Sequence, residues 1–312
     1  MNAPSKWSAE WLTPRRLLKA SVVVACVTIA LKSLAWWLTD SVGLLSDAME
    51  SLVNLASALF ALVMVTIAAR PADEDHPYGH FKAEYFSSGF EGLLIVVAAG
   101  AIVWAAVQRL LVPQPIEQVG WGLALSVLSS IVNGLLAWAL LRSARAHRSI
   151  ALEADGRHLL TDVWTSAGVV VGVGLVALTG WLWLDPVVAI GVALNILFEG
   201  SRLIWRSTQG LMDEAVEPEV MAQIEQVLAD FEHPAIRFDH LTTRSSGQRR
   251  FVDLHMHMPA NWSLGRAASL RANVEQALIS AVPGVRATIQ LLPTNLEAEA
   301  HASDPEKPEL SA

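Results

Sequence analysis

Six long apolar stretches, separated by polar segments, dominate the chain as far as about Leu211. Each reaches, or nearly reaches, the ~20 residues that a helix needs to cross a bilayer. They are Leu17 to Leu38, Val42 to Ile67, Tyr85 to Leu111, Val119 to Leu141, Asp162 to Thr179 and Trp183 to Ile204. This pattern predicts six transmembrane helices within residues 17–210, after a cytoplasmic segment at residues 1–16.

The pattern changes after Leu211, where shorter elements alternate between helical and strand periodicity. The predicted order is helix, strand, strand, helix, strand: Pro218 to Asp230, Phe238 to Thr243, Phe251 to Met258, Leu264 to Ala281 and Val285 to Leu291. A domain of only ~80 residues buries a modest core and gains stability by pairing with a copy of itself. We therefore expect a cytoplasmic dimerisation domain at 211–293, followed by a disordered acidic tail at 294–312.

Composition supports a membrane protein and excludes several other classes. Of the residues, 53% are hydrophobic and only 17% are charged, which is far from a typical soluble domain. The net charge of −8 comes without a basic patch, so no nucleic-acid partner is expected. The single cysteine, Cys26, excludes a disulfide scaffold and a cysteine metal site.

Basic residues in the short loops predict the orientation of the helices. They precede the first helix, lie between the fourth and fifth and follow the sixth: Lys6, Arg15, Arg16, Lys19, Arg142, Arg145, Arg148, Arg202 and Arg206. Both termini should therefore be cytoplasmic. No cleavable signal sequence is evident, because the basic start leads directly into a full spanning length, which favours a bacterial inner membrane.

Two predicted membrane helices carry matching polar residues at helical spacing. The first set, Asp47, Glu50 and Asn54, lies inside Val42 to Ile67; the second, Asp155, His158 and Asp162, comes just ahead of the apolar run Val163 to Thr179. Offsets of i, i+3 and i+7 place each set along one stripe of its helix. Ionisable groups within a bilayer require an internal partner or a ligand. Carboxylates with one imidazole suit zinc, iron(II), cobalt or nickel, whereas calcium or magnesium would need oxygen ligands alone.

Structural alternatives remain for some of these residues. A polar cluster can simply fix helix packing. For Asn54 both the packing role and the ligand role are open, whereas an intramembrane acid next to an imidazole indicates that His158 and Asp162 are ligands. Asp47 and Asp155 lie one turn nearer the starts of their helices, so they are expected to be vestibule or second-shell groups. Capping of the fifth helix is the alternative for Asp155.

A polar loop before the third helix contains three acids and two histidines. It runs from Asp73 to His80, and its histidines His76 and His80 are separated by four residues. Two interpretations are open: a cytoplasmic metal site and a solvated acidic loop.

Several motifs together resemble the cation diffusion facilitator family. They are the segment Ser46 to Ser51, the pair His158 and Asp162, the loop Asp73 to His80 with the following Lys82 to Glu84, and the pair Asp185 and Pro186. The resemblance extends from about Leu17 to Pro293. It implies a homodimeric exporter with six transmembrane helices and a cytoplasmic αββαβ domain of the ferredoxin- or metallochaperone-like type. The exporter would alternate its access across the bilayer in exchange for protons and need no prosthetic group.

The resemblance also implies roles for individual residues. The transport site would consist of Glu50, Asn54, His158 and Asp162. Here the chain departs from the family's zinc and iron members, which have aspartate at both second-helix positions. A second site would use the loop residues Asp73, His76 and His80, while Lys82 and Asp213 match a charge pair that holds the dimer at the membrane surface.

A third site in the tail domain is expected to be weakened or lost. The chain retains Asp239, His240, His255 and His257, but three positions where ligands would be expected are Ala268, Gln290 and Leu292. Alternation along a strand places His255 and His257 on one face. We expect two solvent-facing histidines, with a weak metal site as the alternative.

The resulting prediction is a proton-coupled antiporter that exports zinc or iron(II), with cobalt, manganese and cadmium as further candidates. Two other functional classes are open to a chain with this pattern. An intramembrane metalloenzyme would need an open coordination position and a general base, and the chain has no HExxH-type motif. A membrane metal sensor would bind ions without moving them. The chain is therefore not expected to be an enzyme.

Overall fold

The structure is a computed structural model, and it describes residues 13–39, 42–112, 121–181 and 183–294. The chain divides into two compact units; the first ends at Met212 and the second begins at Asp213. The predicted tail at 294–312 falls almost entirely outside the described residues. The same holds for most of the predicted segment 1–16.

The first unit consists of six long helices: α1 (Pro14–Thr39), α2 (Val42–Ala68), α3 (Ala83–Leu111), α4 (Trp121–His147), α5 (Ile150–Thr179) and α6 (Leu184–Leu211). Among the described residues, three segments are long and apolar enough to cross a membrane: Ala83–Leu111, Val127–His147 and Pro186–Leu211. The protein is therefore a membrane protein. The count of six spans stays a prediction.

The fifth helix begins much earlier than its apolar run indicates. It starts at Ile150 rather than Asp162, so Asp155 and His158 both lie within its first three turns. Ser149 caps it, because the Ser149 hydroxyl accepts a hydrogen bond from the backbone N–H of Leu152 at 3.4 Å. The alternative of Asp155 as the cap is therefore wrong.

A contact between α3 and α5 ties the starts of these two helices together. The Ser149 hydroxyl donates a hydrogen bond of 2.6 Å to the Glu84 carboxylate, which also lies 3.5 Å from the backbone N–H of Ala151. Glu84 is only 2% exposed. A carboxylate at a helix N-terminus is electrostatically favourable.

The second unit contains α7 (Pro218–Phe231), β1 (Arg237–Ser246), β2 (Arg249–Met258), α8 (Leu264–Ala281) and β3 (Val285–Pro293). The predicted order of elements is therefore observed, with strands longer than predicted. The sheet order is β1-β2-β3; β1 pairs antiparallel with β2, and β3 pairs parallel with β2. Buried residues from the helices and the sheet form one core, including Ile224, Val252, Met256, Val274 and Leu278.

Glycine allows α3 and α6 to pack closely. A Cβ atom added to Gly92 would lie 2.8 Å from Cγ1 of Ile204 and 3.1 Å from the carbonyl oxygen of Gly200. Small residues of this kind let the backbones of membrane helices approach each other. The backbone of α3 next to Glu91 is therefore held against α6.

We predict that Gly92→Val lowers the unfolding free energy of the detergent-solubilised protein by ~1–3 kcal/mol, because the new side chain overpacks this crossing. Gly100→Val is the matched control, because it lies in the same helix and an added Cβ there meets nothing within 4 Å. Thermal and denaturant unfolding provide the measurement. Equal loss of stability in the two variants would contradict the close-packing argument.

Candidate functional site

The central polar contact of the first unit joins α2 to α5. The amide nitrogen Nδ2 of Asn54 donates a hydrogen bond to Oδ2 of Asp162 at 2.7 Å. Its oxygen, Oδ1, lies 2.8 Å from Nε2 of His158. Three of the four predicted transport-site residues therefore converge between the two predicted helices. Oxygen and imidazole nitrogen atoms at this spacing can surround one divalent transition metal after small side-chain shifts.

The orientation of the Asn54 amide also determines the proton on His158. A carboxylate can only accept from the amide NH₂, so Asp162 directs Oδ1 of Asn54 toward the imidazole. A carbonyl oxygen can only accept, so Nε2 of His158 carries the proton in this arrangement. Binding of a metal at Nε2 would require that this proton leave or move to Nδ1.

Two of the predicted site residues on α2, Asp47 and Glu50, are described only by their backbone. Their side chains fall outside the part of the structure that is described. Their predicted roles, vestibule group and ligand, stay predictions. Asp155 is 2% exposed and lies one helical turn before His158, which is 5% exposed.

Two further polar residues reach this region and were missed by sequence reasoning. Asn133 of α4 points its Nδ2 at Oδ2 of Asp162 at 3.4 Å. Glu91 of α3 places Oε2 3.9 Å from Nδ1 of His158. Glu91 is the only acid between Tyr85 and Leu111, so its isolation within an apolar run could have identified it.

The loop residues Asp73, His76 and His80 form a compact cluster. The Asp73 carboxylate lies 3.3 Å from Nδ1 of His76 and 3.3 Å from Nε2 of His80. One potential ligand atom from each of the three residues lies within 4.8 Å of those of the other two. Gly79, at a φ of 91°, makes the turn that returns His80 toward Asp73.

The surroundings of Asp73 favour the charged form of its carboxylate. The backbone N–H of His76 donates to Asp73 at 2.7 Å, and this hydrogen bond is the main cause that lowers the pKa of Asp73, with smaller effects from the two imidazoles. The lowered pKa keeps the Asp73 carboxylate charged further into the acidic range. The geometry permits the predicted loop site.

The tail residues also form a cluster, on the β1–β2 pair. Asp239 lies opposite His255 in the register. Its carboxylate is 3.0 Å from Nε2 of His257 and 3.4 Å from Nδ1 of His255. The ring of His240 lies 4.7 Å from that of His255. Asp239, His255 and His257 are therefore close enough together for the weak metal site that was the alternative prediction.

The expectation of two solvent-facing histidines is wrong. His255 is 9% exposed and His257 only 1% exposed, because β2 is the central strand and Asp239 covers both imidazoles. Arg237 pairs with the same carboxylate at 3.1 Å. That positive charge opposes binding of a metal cation there.

The predicted partners Lys82 and Asp213 each have a contact within their own unit. Nζ of Lys82 donates to the carbonyl oxygen of Leu211 at 3.1 Å. Asp213 pairs with Arg244 at 3.1 Å. The predicted charge pair between the two stays a prediction.

Comparison with known proteins identifies relatives across nearly the whole chain. Residues 18–212 match the family model of the cation efflux transmembrane domain, and residues 216–294 match that of the cytoplasmic domain of cation efflux proteins, a model named for a dimer. An uncharacterized transporter of Synechocystis is 45% identical over 88% of each chain. The cation-efflux pump FieF of Citrobacter koseri is 31% identical over 85% of this chain and 88% of its own.

A second FieF, from Klebsiella pneumoniae, is 31% identical over 89% of this chain and 92% of its own. A solved structure of the protein CzrB aligns with 25% of this chain and 96% of its own chain, at 30% identity and a TM-score of 0.24. The relatives named here as transporters and pumps are not named as enzymes.

We predict that the double substitution His76→Ala with His80→Ala reduces the number of zinc ions that the purified full chain binds at equilibrium, because two of the three loop ligands are removed. His147→Ala is the control, since Nδ1 of that histidine contacts the Ser143 hydroxyl at 3.1 Å and belongs to no acidic cluster. Equilibrium dialysis with metal analysis gives the count. If the double variant binds as many zinc ions as the wild-type protein, the loop is a solvated acidic loop and not a metal site.

Proposed function

The chain belongs to the cation diffusion facilitator family and is a cation efflux transporter, and we propose that it exports zinc or iron(II) from the cytoplasm in exchange for protons. The observation that carries this proposal is the contact of Asn54 with His158 and Asp162, at 2.8 and 2.7 Å, between α2 and α5. Ionisable groups in an apolar bundle are costly unless a partner or a ligand satisfies them. A transported cation is such a ligand.

The proposed transport site consists of Glu50, Asn54, His158 and Asp162. Glu50 and Asp162 would supply two negative charges that balance a divalent cation in a low dielectric. The imidazole of His158 favours a transition metal over calcium or magnesium. We further propose that six helices span a bacterial inner membrane, that both termini face the cytoplasm, and that two chains pair through the domain at 211–293.

Proton exchange follows from the chemistry of the same ligands. Metal binding requires deprotonated imidazole and carboxylate, so protons compete with the metal for the site. Histidine ordinarily changes charge near neutral pH, which makes this competition effective under physiological conditions. Protons arriving from a more acidic outer side would release the metal there and then be carried inward.

We predict that His158→Ala and Asp162→Ala each abolish zinc and iron(II) flux into proteoliposomes and leave the dimer intact. His147→Ala should retain flux, because that histidine lies outside the polar contact of α2 with α5. A pH-sensitive dye should record proton movement opposite to metal movement in the wild-type protein and none in His158→Ala.

Three outcomes would contradict parts of this proposal. Undiminished flux in both ligand variants would remove the assigned site. Metal flux without proton movement at any pH gradient would remove the antiport mechanism. Metal binding without flux in the wild-type protein would favour the metal sensor instead.

The identity of the metal should depend on Asn54. A neutral carbonyl oxygen binds a divalent transition metal less strongly than a carboxylate, and Glu50 is longer than aspartate and can reach around a larger ion. We predict that Asn54→Asp tightens zinc binding and raises its preference for zinc over iron(II), cobalt and manganese, with slower turnover because release is harder. Competition of these metals for zinc flux is the measurement. If Asn54→Asp and Asn54→Ala both leave the competition unchanged, Asn54 is a packing residue.

A further inference from the structure

Glu91 is a buried carboxylate that the proposed transport mechanism does not use. It lies within the apolar helix α3, about two turns beyond Glu84, and is 0% exposed. Neither of its carboxylate oxygens has a hydrogen-bond partner. Ser57 is a near neighbour of the Glu91 carboxylate, and the Ser57 hydroxyl likewise has no hydrogen-bond partner. Among the described residues, no lysine or arginine pairs with Glu91.

Asp155 adds a second carboxylate to the same place. It is 2% exposed, and its Oδ2 has no hydrogen-bond partner. Its electrostatic neighbours are Glu91, His158 and Asp162, and the Ser21 hydroxyl lies close to its carboxylate. Two buried carboxylates near enough to interact electrostatically repel each other, so a cation or protons would stabilise this arrangement.

His158 lies between these carboxylates and the proposed transport site. Nε2 faces Asn54 at 2.8 Å, while Nδ1 lies 3.9 Å from Oε2 of Glu91. Zinc binds imidazole nitrogen and carboxylate oxygen at about 2.0–2.2 Å. One metal ion can therefore contact both Nδ1 and Oε2 across this gap, and a closure of about half an ångström would bring the two ligands to tetrahedral spacing.

We propose that Glu91 and Nδ1 of His158, with the negative charge of Asp155 nearby, form a second binding site for the divalent cation, which we call the inner site. Two carboxylates balance the charge of the cation, and the imidazole supplies the nitrogen ligand that selects a transition metal. The site draws on α3 as well as α5, whereas the proposed transport site lies between α2 and α5.

The position of the inner site gives it a role in loading. Asp155 lies one turn nearer than His158 to the start of α5, which the proposed topology places on the cytoplasmic side. A metal arriving from that side meets Glu91 and Asp155 first and then passes around the imidazole from Nδ1 to Nε2. The inner site therefore captures the cation and delivers it to the transport site; this role rests on the proposed function.

Transport kinetics test the loading role. We expect Glu91→Gln and Asp155→Asn to raise the zinc concentration that gives half-maximal flux by about 10- to 100-fold, with the maximal rate largely retained, because the transport site is intact. Glu91→Asp keeps the carboxylate and should recover most of the wild-type value. Glu84→Gln is the matched control, since it makes the same chemical change in the same helix at a carboxylate already bonded to Ser149. Half-saturation within twofold of wild type in both Glu91→Gln and Asp155→Asn would overturn the loading role.

A binding experiment tests the inner site without any transport. In an Asp162→Ala background, which weakens the transport site, cobalt(II) should still give visible absorption bands from the inner site. Adding Glu91→Gln should remove these bands from the difference spectrum, in which the loop and tail clusters cancel. An unchanged spectrum would overturn the inner site itself. If the cobalt bands appear but the wild-type protein transports no zinc, the inner site stands and the proposed transport function is wrong. The two proposals can therefore fail independently.

If Glu91→Gln fails to fold, as judged by dimer size and thermal unfolding, Asp155→Asn decides in its place. A purely structural role for these carboxylates would lower the unfolding temperature of both variants without changing half-saturation or the cobalt bands.

Discussion

The cost of placing charge in an apolar helix bundle governs the arrangement of the first unit. Asp162 lies within α5, where it cannot be solvated as it would be in water. Its carboxylate is instead met by two amides, from Asn54 of α2 and Asn133 of α4. The Asn54 amide then faces His158, so one buried charge orients three polar side chains from neighbouring helices. The proposed transport site follows from this single requirement.

Contacts nearer the helix starts keep these groups in register. Glu84 holds the start of α5 through Ser149, and Glu91 lies two turns further along α3, where it faces His158. On the other side of α5, Glu153 pairs with Arg206 of α6 at 2.6 Å. Partly buried pairs of this kind contribute more to orientation than to stability. Together they limit sliding of α5 against α3 and α6.

The three acid–histidine clusters differ mainly in their surroundings. His158, Glu91 and Asp155 are buried, so a cation there would interact strongly with its ligands. Asp73 in the loop is about half exposed, and water weakens its hold on an ion. Asp239 in the tail is already paired with Arg237, which competes with any metal. The same residue types are thus suited to transport, to weaker loop binding and to a structural contact.

Periodicity along the chain was sufficient to predict the six helices of the first unit and the αββαβ order of the second, because apolar spacing follows directly from helix and strand geometry. The motif residues His158 and Asp162 were also recognisable, since ionisable groups at helical spacing beside an apolar run stand out. The start of α5 at Ile150 was not, because its first three turns are polar and hydropathy detects only the apolar part. The burial of His255 and His257 depended on β2 becoming the central strand.

Glu91 shows most clearly what the sequence leaves open. The chain itself determines that an acid lies within an apolar helix and that some partner must compensate its charge. It does not determine which helix brings that partner, because packing depends on contacts between residues that are distant along the chain. Only the close crossing of α3 with α6 and its contact with α5 place Glu91 opposite Nδ1 of His158. The identities of the polar groups were local information, whereas their grouping was decided by tertiary structure.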